Sequence, residues 1–589
     1  MRRTFSLLLA GVLSLAAWLV AADATAAIGS DVQLRAMLDE LARSKTLQLN
    51  DLDKPYFIEY TVSDVDQANI AASLGGLTAT TRFHVRQPRL QVRVGDYQFD
   101  NTNSIYSINR HLNFFSLDDD YQAMRTQLWL ATDGLYKASA EQIARKRTAQ
   151  REMADPDKTP DLAPAKPVRL IRPTPVLDID QKHWEQTLRQ LSARFAAHPN
   201  IAASELALRT ISSTYRLVNS EGTILRIPQE LSEIEIRSSA LASDGDRVWN
   251  HEFVTVLKPA QFPGEAQLAK TVESLASETD ALAKAPLAED YSGPVLFEQE
   301  AAAQMMAQVL TDAIRIERPP LAPPGSNDRN VQALDSVWAS RIGAKVTPDW
   351  LSIYDDPQPE TFQGVVLAGH YEVDDQGVPA SRVGIVEKGT LKNFLLSREP
   401  VRTFNASNGH GRLPGSYGSE QAAIGSLFVQ SERTVPEAQL KAKLLETVKT
   451  AGLKYGILIR RLDFPSTANF QELQNLARQL QKNGYSRTLN APLLAYRIYP
   501  DSREELVRGA RFREFSAKDL RDVVASSDRP YVFNYVNNGS SFDLADEGGD
   551  ATSSSIICPS LLFDSLDLQR AEAEAGRLPI VPPPALTAQ

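Results

Sequence analysis

The sequence predicts an α+β protein of two domains, each built on largely antiparallel or mixed sheets flanked by helices. Three observations lead there. Short segments alternate apolar and polar residues with the period of a strand. Turn-forming clusters of the hairpin kind separate many of them. Helical patterns are interspersed with these pairs without the strict strand–helix alternation of a doubly wound parallel sheet.

Residues 31 to 45 read as a first helix, with Leu34, Leu38 and Leu41 on one face. Tyr56–Val62, Thr81–Arg86 and Leu90–Gly95 read as strands, with a turn at Gly75-Gly76. A long helical pattern runs from about Asp118 to Asp155, and its basic end, Ala144 to Glu152, reads as a solvated face. Pro156 to Pro175 is proline-rich and reads as a loop. A helix over residues 180–198 precedes strands near Ser213–Leu217, Thr223–Ile227 and Glu233–Arg237, the first two joined by the turn Asn219-Ser220-Glu221-Gly222. A helix at about 266–284 leads to a boundary near Ala285 to Asp290.

The second half opens with the buried strand Gly293–Phe297 and a helix over Glu298–Ile314. Pro319 to Asn330 is a proline-rich loop. Hairpins turn at Asp374–Gly377 and at Glu387–Thr390. Leu440, Leu444 and Val448 mark an amphipathic helix over residues 437–451, and a further helix ends at Gly484. The strand Leu493–Tyr499 turns through Pro500-Asp501 into Glu505–Arg508. Asp543 to Ser555 is small, polar and acidic and reads as a loop; the tail after Gly576 is rich in proline and alanine.

The N-terminus has the form of an export signal. Arg2 and Arg3 precede the apolar run Phe5–Ala22, and Ala24-Thr25-Ala26 offers a small-x-small cleavage site. The expected layout is a signal peptide at 1–26, an N-terminal α+β domain at 27–285 and a C-terminal domain at 286–589, in a periplasmic protein with no stable membrane span. The alternative is an uncleaved anchor, since about 18 apolar residues is the lower edge of what crosses a bilayer. A net charge of −10 gives no general attraction for nucleic acid. The one cysteine, Cys558, precludes an internal disulfide.

Phosphate-binding glycine loops are absent, and Pro414 stands where a nucleophile elbow around Ser416 needs glycine. The seven histidines are His84, His111, His183, His198, His251, His370 and His410, and no two have the spacing of helix-borne zinc ligands. Ligands could converge only from distant segments, with His370 and His410 as candidates. Cys558, in the apolar run Ser555–Pro559, reads as a small buried hydrophobe or, with a remote base, as a reactive thiol.

Ordered stretches of the second half resemble the C-terminal domain of the TldD/PmbA family of peptidases and peptidase-like partners. They are Gly293–Ala303, Pro348–Pro357, Tyr371–Pro379 with Val386–Lys392, the glycine-rich Asn408–Arg412 and the late Cys558. Leu217–Gly222 is similar to a family hairpin in the first half. The resemblance implies a peptide-cleaving fold whose active members hold zinc with the two histidines of H-E-x-x-x-H and a cysteine, the glutamate serving as general base. Carried over by position, the histidines are Gln299 and Gln304, the base is Glu300 and the thiolate is Cys558. An amide is a weak neutral donor for zinc, so no cofactor is expected and Glu300 is a vestigial base, or simply a carboxylate at a helix N-terminus.

The resemblance therefore implies a degenerate, PmbA-like subunit that binds extended peptide or unfolded protein and forms a homo- or heterodimer, the latter with a zinc-bearing TldD-type chain. Two alternatives stand beside it. One is an active peptidase with a site rebuilt from Cys558, Glu300 and a remote His370 or His410. The other is a non-catalytic binding or assembly protein of the cell envelope.

Overall fold

The computed structural model describes residues 27–49, 52–107, 115–154, 157–323, 325, 336–414, 419–464, 489–537 and 552–571. The export signal, the helix expected to end at Gly484, His111 and the C-terminal tail lie outside the described residues, as does much of the Pro319–Asn330 segment.

The first half is one six-stranded sheet with helices against it. Helix α1 (Val32–Ser44) is capped by the Asp31 carboxylate, which accepts the Leu34 N–H at 3.0 Å. It is followed by β1 (Pro55–Ser73), β2 (Gly76–Val94), α2 (Tyr121–Arg151), β3 (Arg169–Ile171), α3 (Gln181–Ser192), β4 (Ile201–Asn219), β5 (Ile224–Leu241), β6 (Arg247–Val256) and α4 (Glu265–Lys284). The order is β2-β1-β4-β5-β3, with β6 also on β5, and every pair except β3–β5 is antiparallel. Helices α1 and α2 cover Ile58, Tyr60, Val62 and Val92; α3 and α4 cover Ile70, Leu206, Leu208, Ile234 and Ile236.

Segments read from the sequence as separate strands are continuous here. Thr81–Arg86 and Leu90–Gly95 fuse across Pro88 because β2 pairs on one side only, so the missing proline N–H interrupts no ladder. Thr223–Ile227 and Glu233–Arg237 fuse across Pro228, which lies between the stretch of β5 paired with β3 and the stretch paired with β6.

The second half is a twelve-stranded mixed sheet. Strand β7 (Tyr291–Phe297) leads into helix α5 (Glu300–Ala313). Then come β8 (Leu351–Asp355), the small hairpin β9 (Thr361–Phe362) and β10 (Val365–Val366), β11 (Val383–Glu387), β12 (Thr390–Leu391), β13 (Gly411–Pro414), β14 (Glu420–Ala422), β15 (Ser426–Ser431) and β16 (Thr434–Val435). The chain continues through α6 (Leu440–Thr450), β17 (Gly456–Leu462), β18 (Pro492–Ile498), β19 (Glu504–Val507), β20 (Ala510–Phe512), β21 (Val523–Asn537) and β22 (Thr552–Arg570). The main path is β12-β11-β8-β15-β22-β7-β17-β18-β19. Residues 552–555, the end of the expected acidic loop, instead begin β22, where Ser553 to Ser555 pair with Val536 to Asn534. Pairing partners on β21, invisible in local composition, decide this.

The two faces of this sheet are read directly from alternation along β7. Val295 and Phe297 pack with α5, while Leu296 packs with Leu440, Leu444 and Val448 of α6. Among the described residues no helix is long and apolar enough to cross a membrane.

Candidate functional site

Strand β7 is hydrogen-bonded in parallel to β17, and its extension Glu298 donates its N–H to the Ile459 carbonyl at 2.9 Å. The chain then reverses sharply into α5. Gln299 makes that turn with φ +40° and ψ −103°, a left-handed conformation that costs a non-glycine residue about 1–3 kcal/mol. Its N–H donates to Ser560 Oγ at 2.8 Å, and that hydroxyl donates to Glu437 Oε1 at 2.8 Å. The Gln299 side chain is exposed and caps nothing. Ala301, Ala302 and Ala303 are fully buried, which lets the helix lie close against the sheet.

Gln304 is fully buried. Its Nε2 donates to Glu300 Oε1 at 2.9 Å, and its Oε1 accepts the Leu462 N–H at 2.8 Å. The amide oxygen, the one atom that could face a cation, is thus engaged by backbone. Glu300 occupies the first position of α5, its side chain 18% exposed. Burial pushes its carboxyl up to about 7; Arg461 opposes that rise, and Glu252 and Glu278 add to it.

Arg461, near the end of β17, is the centre of the arrangement. Its Nη2 donates to Glu252 Oε2 at 2.6 Å, its Nη1 to Glu278 Oε2 at 3.0 Å and to Asn250 Oδ1 at 3.1 Å, and its Nε lies 3.6 Å from Glu300 Oε2. Glu252 and Asn250 come from β6 and Glu278 from α4, so the guanidinium joins the two halves at the N-terminus of α5. The carboxylates beside it hold the guanidinium charged against the cost of burial. His251, stacked between Trp249 and Phe253 on β6, is held well below its ordinary pKa by burial first and then by Arg461 and Arg237.

Cys558 lies on β22, fully buried among the residues that pack with α5, and pairs with Tyr531 on β21. Its thiol donates to the Pro559 carbonyl at 3.2 Å, and burial pushes its pKa up. That is the setting of an inert thiol.

The structure does not bring His370 or His410 into this cluster as hydrogen-bond partners. His370 Nδ1 is 2.9 Å from the Pro357 carbonyl. His410 is fully buried, with Nε2 3.0 Å from Asp355 Oδ1 and Nδ1 3.1 Å from both oxygens of Asn408. Both ring nitrogens of His410 are committed to those partners. Among the described residues, no three histidine, cysteine or acidic side chains converge as a metal group. The donor set does not fit zinc: both ends of the Gln304 amide are spent on Glu300 and the Leu462 N–H, and a guanidinium stands beside Glu300.

Sequence reasoning singled out Glu300, Gln304 and Cys558 and passed over Arg461, Glu252 and Glu278. One local signal existed. Arg460-Arg461 interrupts the apolar strand Ile457–Leu462, and a charge inside a buried strand needs a partner. Nothing local says that the partners lie 209 and 183 residues away.

Residues 290–570 match the family model described as the PmbA/TldA metallopeptidase C-terminal domain. A metalloprotease of Methanocaldococcus jannaschii is 35% identical over 82 residues, and one of Archaeoglobus fulgidus is 36% identical over 80. Each match covers 14% of this chain and spans only 17% of the relative's own length. The fold is similar to that of TldE from Thermococcus kodakarensis, with a TM-score of 0.52 at 11% identity, covering 90% of this chain and 99% of that one. It is also similar to a Thermotoga maritima protein described as a candidate modulator of a DNA gyrase, with a TM-score of 0.57 at 13% identity over 91% and 99%.

Proposed function

The chain belongs to the TldD/PmbA family, and from that premise we propose that it is an exported, metal-ligand-deficient peptidase-like subunit that binds extended peptides and assembles with a second, zinc-bearing TldD-type subunit. One observation carries the reading. Gln304, at the position of the second family histidine, spends both ends of its amide inside the protein, on Glu300 and on the Leu462 N–H. Glu300 consequently has no metal-activated water to deprotonate.

Peptide binding rests on the sheet edges. Strand β2 pairs with β1 alone among the described strands, and β19 ends the path of the larger sheet. Such edges offer backbone N–H and C=O groups to which an extended segment can add. Export rests on Arg2-Arg3, the apolar run Phe5–Ala22 and Ala24-Thr25-Ala26. We take residues 27–285 and 286–589 as the two domains of the mature chain.

Elemental analysis of the purified protein, with peptidase assays in the presence and absence of EDTA, tests the central claim. The expected result is zinc far below one per chain and no EDTA-sensitive cleavage. One tightly held zinc per chain together with EDTA-sensitive proteolysis overturns it. Fluorescence anisotropy with a labelled unfolded peptide tests binding, and N-terminal sequencing of protein from the periplasmic fraction, expected to begin at Ala27, tests export.

A further inference from the structure

We infer that Arg461 is an internal cation that takes the place of a divalent ion at the N-terminus of α5 and closes this position to metal. The inference rests on the metal-deficient reading above and goes beyond it, because it names what stands in the metal's stead. Glu300, Glu252 and Glu278 all face the point where the two halves meet, and they form no metal-holding group of their own among the described residues. Arg461 meets each of them on a different nitrogen: Nη2 on Glu252 at 2.6 Å, Nη1 on Glu278 at 3.0 Å and Nε facing Glu300 at 3.6 Å. The planar fork spreads the carboxylates around its rim, where a single ion would draw them to one point.

Position is held as firmly as charge. The next residue, Leu462, donates its N–H to Gln304, so α5 and the arginine are tied together through the degenerate motif itself. Arg461 is 6% exposed, and Asn250 accepts a further bond from Nη1, so little room or freedom remains for the side chain to withdraw. A Zn²⁺ beside this buried guanidinium would meet strong like-charge repulsion at low local dielectric. The arginine thus does more than join two halves: it makes restoring the histidines insufficient to restore the metal.

The test uses the full chain in three versions: Gln299→His/Gln304→His, the same pair with Arg461→Gln, and the same pair with Arg461→Lys. Each is equilibrated with zinc and dialysed, zinc is measured by elemental analysis and by competition with a chromophoric chelator, and folding is checked by circular dichroism. The expected zinc content is below about 0.1 per chain in the two versions that keep a positive charge, Arg461 intact and Arg461→Lys. With Arg461→Gln it is about one per chain, at least a tenfold rise. A purely structural role would move the melting temperature and leave metal content unchanged. About one zinc per chain with Arg461 intact overturns the inference, whether or not the other variants fold. So does zinc uptake by the Arg461→Lys version equal to that of the Arg461→Gln version, or a folded Arg461→Gln version that takes none. Zinc in the wild-type chain sinks the metal-deficient reading itself, whereas zinc only in the histidine-restored chain with Arg461 in place sinks this inference alone.

Discussion

The Arg93 guanidinium donates to Glu399 Oε1 at 2.9 Å across 306 residues of sequence, with the two side chains 0% and 6% exposed. Arg93 also donates to Asp100 Oδ2 at 3.1 Å, and Glu399 accepts from Gln376 at 3.1 Å and Ser397 at 2.9 Å. This pair ties β2 to the second half through contacts separate from those at α5. Removing one partner of a buried pair strands the other, at a cost of about 3–5 kcal/mol. Arg93→Ala is therefore expected to shift the urea midpoint strongly downward, and a change within error in the denaturation curve would contradict it.

Gln304→Leu removes two hydrogen bonds and leaves the Leu462 N–H without its acceptor. An unsatisfied buried donor costs about 1–3 kcal/mol. The variant is expected to be less stable by that amount, with zinc content unchanged from wild type. Thermal denaturation alongside elemental analysis separates this structural role from a metal role.

Cys558 is expected to be silent in the folded protein. Burial keeps the thiol protonated, and the thiolate is the reacting species. A disulfide-exchange reagent at pH 8 should label no thiol in the native chain and one in denaturant. Rapid native labelling would show an open, activated cysteine and revive a thiol-based peptidase.

His251 makes an acid-sensitive contribution with a definite sign. Its folded pKa lies well below the ordinary value, chiefly through burial, with Arg461 and Arg237 adding to it. Below about pH 6.5 the unfolded chain binds a proton that the folded chain refuses, so this term lowers stability as pH falls, by about 1.4 kcal/mol per pH unit until the folded pKa is reached. Above pH 6.5 the term is constant. His251→Phe, which keeps a ring between Trp249 and Phe253, should therefore gain on wild type as pH drops from 6.5 to 5. Parallel stability curves for the two proteins would refute this.

Much of the fold was legible because local periodicity reports it. The helices at α1, α2, α3, α4 and α6 and the hairpin at Asn219–Gly222 lie where spacing and turn residues put them. Strand lengths were less legible. Pro88 and Pro228 look like breakers, yet each pairs with a strand on one side only, opposite Val62 and Thr214, and has no second ladder to interrupt on the other side. Ser553 to Ser555 look like loop because their strand character comes from pairing with β21.

What the sequence determined by itself was the stock of side chains on hand: amides at 299 and 304, one cysteine at 558, and seven histidines no two of which have the spacing of helix-borne ligands. Side-chain chemistry is local, so it is written in the order of residues. What only the tertiary structure decided was where the charge at this position comes from. Glu252, Glu278 and Glu300 meet Arg461 because β6 and α4 of the first half come up against the end of β17 and the start of α5 in the second. Such a meeting depends on packing between elements far apart in the chain, which no local pattern encodes.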